Sequence, residues 1–77
     1  MLSQRSAVLI DLAAAYVGQG EIGHGCELLT TTLEIASQSG LAEIVRRIGV
    51  LRRGLGSMNT PAVRRLDDQL QSVVLRR

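Results

Sequence analysis

Large aromatic side chains are almost missing from this chain. None of its 77 residues is Phe or Trp, and Tyr16 is the single Tyr. The apolar residues, 45% of the total, are mainly Leu, Val, Ile and Ala. Aromatic side chains are common in small-molecule pockets, so this composition disfavours a deep ligand site and favours close-packed helices.

Cysteine and long apolar stretches are equally scarce. Because Cys26 is single, no disulfide can form within the chain, which indicates a reducing, cytoplasmic setting. The longest uninterrupted apolar run, residues 12–17, is far shorter than the roughly 20 residues that span a bilayer. The N-terminus also shows no signal-peptide pattern, so we expect a cytoplasmic protein without membrane contact.

Lysine is absent, and the nine arginines that supply all the positive charge are unevenly distributed. Residues 1–43 contain one arginine and five acidic residues, a net charge of −4. Residues 44–77 contain eight arginines and two acidic residues, a net charge of +6. This division indicates contact with an anion or head-to-tail association of two copies.

What the chain does contain is apolar residues at the three- and four-residue spacing of helix faces. Glycines follow the first three of these segments, and Thr60 followed by Pro61 is a typical helix start. No stretch alternates with a period of two between turn residues, so we predict no strands. Because short connections favour antiparallel neighbours, we predict an all-α fold of two αα-hairpins. The predicted helices are about residues 3–17, 22–38, 41–55 and 61–75.

Each predicted helix has one apolar stripe that we expect to face the core. We further expect the ring of Tyr16 to fill the junction between the first two helices. The stripes consist of Leu9, Leu12, Ala13 and Tyr16 in helix one; Ile22, Cys26, Leu29, Leu33 and Ala36 in helix two; Leu41, Ile44, Ile48, Leu51 and Leu55 in helix three; and Val63, Leu66, Leu70 and Val73 in helix four.

The segment 12–33 resembles a tetratricopeptide repeat. Leu12-Ala13 followed by Tyr16 matches that repeat's first helix, Gly20 matches its turn glycine, and Gly25 takes the small-residue position of its second helix. The match lacks the opening Trp, has Gly where Ala is commoner, and has Ser37 where Pro often falls. The resemblance implies tetratricopeptide-like, right-handed helical packing.

A longer series of short motifs runs in order through nearly the whole chain. It consists of Arg5-x-Ala7, Asp11-Leu12-Ala13-Ala14-Ala15-Tyr16, Gln19-Gly20-Glu21, Cys26, Leu33-Glu34-Ile35-Ala36, Val45, Leu51-Arg52-Arg53 and Thr60-Pro61-Ala62-Val63-Arg64-x-Leu66-Asp67. The series is similar to the C-terminal repeat region of helix-turn-helix regulators of the xenobiotic-response-element type from GC-rich Gram-positive bacteria. The resemblance implies a protein–protein interaction and oligomerisation module for transcription regulation. Such a module is expected to be the C-terminal part of a regulator or a free-standing relative.

Ala7, Ile10, Ala14 and Val17 form a second apolar face on helix one, rotated away from its predicted core stripe. The tetratricopeptide resemblance implies that this face lines a concave groove, while the alternative is that helix three covers it. We predict an interaction surface here. The expected partner is a second copy, a regulator domain or a peptide.

Arg46 and Arg53 are predicted to lie opposite the apolar stripe of helix three, where they could contact an anion or an acidic partner. Arg47 and Arg52 flank the stripe, where their stems can cover apolar surface. Nucleic-acid binding through this helix is the alternative function. It is less favoured than protein contact because no aromatic residue lies nearby to stack on bases.

Two further arginines, Arg64 and Arg65, precede Asp67 and Asp68 by three or four residues. Residues at this spacing are neighbours on a helix surface, so we expect the two pairs to neutralise each other locally.

His24 and Cys26 are the only neighbouring residues of metal-ligand type, and four ligands would be needed for zinc. Cys26 lies on a buried stripe and lacks an orienting base, which disfavours catalysis. The glycines at 18 and 20 join two helices and follow no strand, so they do not form a phosphate loop. The sequence therefore predicts a protein without enzymatic activity, cofactor or metal.

Overall fold

A computed structural model describes residues 4–35 and 41–75, and every regular element within them is an α-helix. Helix α1 spans Gln4–Gly18, α2 Ile22–Ile35, α3 Leu41–Gly54 and α4 Pro61–Leu75. The prediction of four helices and no strands is thus confirmed for these residues. The predicted helix start at residue 3, the predicted end of helix two near residue 38 and the stripe residue Ala36 lie outside the described residues. None of the four helices is long and apolar enough to cross a membrane.

A tight glycine turn joins α1 to α2. Gly20 has a φ of +85°, a conformation that side chains with a Cβ rarely adopt. It allows Glu21 N to donate to Tyr16 O at 2.9 Å and Gly20 N to donate to Val17 O at 3.0 Å. These two bonds cap the carbonyls at the end of α1 and reverse the chain. The first predicted hairpin is therefore present.

The two helices of this hairpin approach closely at Gly25. A Cβ added at Gly25 would lie 2.6 Å from Val17 Cγ2 and 3.1 Å from Ala13 O. Both Gly25 and Ala13 are buried, so small residues on each helix face one another here. A side chain at position 25 therefore requires the Val17 side chain to move and the Ala13 carbonyl to give way slightly.

The second predicted hairpin is open. Helix α2 lies between α1 and α4 and packs extensively against both, whereas α3 and α4 approach each other hardly at all along their lengths. The apolar stripes explain this arrangement, since those of α3 and α4 both turn into a core that α1 and α2 also line. The expectation that α3 and α4 would pack as antiparallel neighbours is therefore wrong, because α4 takes α2 as its main neighbour instead.

All four helices contribute to one core, and it matches the predicted stripes of α2, α3 and α4. In α1 the buried side is rotated relative to the predicted one, because Leu12 is 44% exposed whereas Ile10 is 4% exposed and belongs to the core. Thr32 is the buried polar residue of α2, and its hydroxyl donates to Leu28 O at 2.7 Å. The buried apolar residues are Ile10, Ala13, Cys26, Leu29, Leu33, Ile44, Ile48, Leu55, Val63, Leu66 and Val73.

Candidate interaction surfaces

The predicted interaction face of α1 is mostly turned inwards. Ile10 is a core residue, and Val17 packs against the core next to Gly25. Ala7 and Ala14 are half-buried, and α1 has its contact with α3 as well as with α2. Ile10 is therefore not available to a partner, and the alternative that other helices cover this face describes it better.

The opposite side of α1 is apolar and exposed. Val8 is 57% exposed and Leu12 44% exposed, and Ala15 is exposed as well. The three residues are spaced by four and three positions, so they lie on one side of the helix. We call Val8, Leu12 and Ala15 the outer face of α1. The sequence did not predict this exposed face. Because α1 has apolar residues on all sides, their spacing does not show which side is buried.

One residue of each charge borders the outer face of α1. Arg5 and Asp11 are both exposed. Neither forms an ion pair within the part of the chain that the structure describes. The surroundings of the outer face are therefore electrically balanced.

The two arginines predicted as anion contacts differ in their availability. Arg46 Nε donates to Glu43 Oε2 at 3.1 Å, and its Nη2 donates to Glu43 Oε1. These bonds raise the pKa of Arg46 and lower that of Glu43. Arg53 is exposed, and no acidic group of the described residues pairs with it. Arg53 alone of the two can meet a ligand without first giving up a partner.

An ion pair that sequence reasoning missed connects α3 to α4. Arg52 Nε lies 2.6 Å from Asp67 Oδ1, Nη2 lies 3.1 Å from Oδ2, and Nη1 donates to Gly56 O at 3.0 Å. The pair is only partly exposed, with 22% of the Arg52 side chain and 42% of the Asp67 side chain accessible. Its hydrogen bonds to Asp67 raise the pKa of Arg52.

The local pairing predicted within α4 is wrong. Asp67 turns towards α3, and no ion pair joins Arg64 or Arg65 to Asp67 or Asp68. Arg64 and Arg65 are exposed at the start of α4. Arg65 borders an open groove of about 230 Å³ between α2 and α4, whose lining is otherwise Glu27, Thr30, Thr31, Glu34 and Ala62.

His24 and Cys26 lie on opposite sides of α2. The exposed His24 has its Nδ1 3.4 Å from Glu21 Oε2, and its ring centroid is 5.4 Å from that of Tyr16. Cys26 is fully buried, and this burial raises the pKa of its thiol in spite of the opposing effect of Arg52. The described residues include no cluster of three His, Cys, Asp or Glu side chains that could hold a metal.

The described residues form a small all-helical protein whose candidate functional residues, the outer face of α1 and the exposed arginines, lie on its surface. Comparison with known protein families, with curated proteins and with solved structures finds no match to the chain.

Proposed function

We propose that this chain is a protein-interaction module that presents the outer face of α1 to a partner. The observation that carries the proposal is the exposure of Val8 and Leu12 together on one helix side. Fully burying an aliphatic side chain of this size contributes roughly 1.5–3 kcal/mol. Burial of this face by a partner would therefore contribute favourably to the free energy of binding, because the face is exposed in the isolated chain.

The other exposed apolar residues do not form a comparable face. Ile35 is the last residue of α2, Val50 lies on α3 and Met58 lies in the loop after α3. Single exposed apolar residues of this kind are normal. Val74 and Leu75 are adjacent in the last turn of α4, so their side chains diverge. The outer face of α1 is the apolar surface with helical spacing among the described residues.

We further propose that the module is cytoplasmic and belongs to bacterial regulators of the helix-turn-helix, xenobiotic-response-element type. It would be the C-terminal part of such a regulator or a free-standing relative, with tetratricopeptide-like packing. The series of motifs supports this assignment. The close approach of Gly25 to Ala13 and Val17 is the kind of small-residue contact that the repeat resemblance implies.

Selection of helical peptides against the folded chain tests the interaction function. A phage-displayed library of amphipathic helices should yield binders whose affinity falls at least tenfold with Leu12→Arg. The matched control is Val50→Arg, which places the same charge at a similarly exposed residue of α3 and should change affinity less than twofold. Circular dichroism melts would show that both variants fold. Absence of binders, or binders indifferent to Leu12→Arg, would refute the proposal.

Nucleic-acid binding is a second candidate because Arg53, Arg64 and Arg65 are exposed without acidic partners among the described residues. It is the weaker candidate for two reasons. Arg46 and Arg52 are already paired, and the single Tyr lies on α1, so no aromatic side chain of α3 or α4 can stack on a base.

A further inference from the structure

We draw no further inference here: the strongest candidate, the open groove between α2 and α4 that Glu27, Glu34 and Arg65 line, carries nothing, because its exposed charges of both signs single out no ligand and nothing in the structure shows what covers it.

Discussion

The guanidinium of Arg52 on α3 donates hydrogen bonds to both carboxylate oxygens of Asp67 on α4, 15 residues further along the chain. The backbones of α3 and α4 approach each other little, so this pair is a direct link between the two helices, and Arg52 also donates to Gly56 O in the loop that joins them. A bidentate pair of this kind constrains geometry more strongly than a single ionic contact.

Removing this pair should destabilise the fold modestly. We expect Arg52→Ala to lower the free energy of unfolding by about 1 kcal/mol, near the upper end for partly exposed pairs. Arg52→Lys should recover part of the loss, since Lys keeps the charge but not the planar fork. Urea unfolding of Arg52→Ala, Asp67→Ala and the double variant gives the coupling energy. Arg53→Ala is the matched control, with a change within about 0.5 kcal/mol. Additive single losses would show that the pair contributes nothing.

The approach of α1 to α2 makes two nearby glycines respond oppositely to the same substitution. Gly25→Ala should destabilise by about 1–3 kcal/mol, because its methyl group would overlap Val17 and crowd the Ala13 carbonyl. Gly23→Ala meets nothing within 4 Å and should stabilise α2 by about 0.5–1 kcal/mol. Thermal and urea unfolding measure both. Adding Val17→Ala to Gly25→Ala should relieve part of the overlap. Equal effects at 23 and 25 would contradict this packing.

Tyr16 should contribute less to stability than a core aromatic residue. Its ring packs against the exposed His24 at the edge of the hairpin and is only half-buried. Full truncation of a core aromatic costs about 3–5 kcal/mol, so we expect Tyr16→Ala to cost about half as much. Tyr16→Phe should be nearly neutral. Complete unfolding of Tyr16→Ala at room temperature would show that the ring fills the helix junction after all.

Cys26 should make stability fall at alkaline pH. Burial raises its folded-state pKa, so the folded chain keeps the thiol proton when the unfolded chain has lost it. The contribution is complete below the unfolded thiol pKa of about 8.5 and is lost as the pH rises towards the folded value. We expect the wild type to lose more unfolding free energy between pH 7 and pH 9.5 than Cys26→Ala does. Equal losses would show that the thiolate is not disfavoured in the fold. The same burial predicts slow reaction of Cys26 with thiol reagents in the absence of denaturant.

The exposed arginines should bind nucleic acid weakly and without sequence preference. Arg53, Arg64 and Arg65 can neutralise phosphates, which supports dissociation constants of roughly 10⁻⁴–10⁻⁶ M at physiological salt. Arg53→Glu should weaken binding equally for all duplexes and reduce its salt dependence. Fluorescence anisotropy with duplexes of different sequence at fixed salt is the measurement. Discrimination above about a thousandfold would favour a DNA-binding function instead.

The repeating intervals in the sequence determined the four helices of the described residues and which sides of α2, α3 and α4 are buried. Those helices have one apolar stripe each, so burial has a single solution, and Leu29, Ile48 and Leu66 are fully buried as their spacing predicts. Glycine and the Thr60–Pro61 pair act locally on the backbone, which is why the turn after α1, the end of α3 and the start of α4 lie close to where the sequence places them.

Only the tertiary structure decided the orientation of α1, the neighbour of α4 and the partner of Asp67. Apolar residues lie on all sides of α1, so its sequence alone does not distinguish Ile10 from Leu12 as the core residue. The packing of α2 and α3 against one side of α1 buries Ile10 and leaves Leu12 exposed. Asp67 has arginines at local helical spacing, but the angle of α4 turns its carboxylate towards Arg52 instead. Choices of this kind depend on how whole helices fit together, since the competing local arrangements differ by only about 0.5 kcal/mol. The outer face of α1 also results from helix packing, which buries one apolar side of α1 and leaves the other exposed.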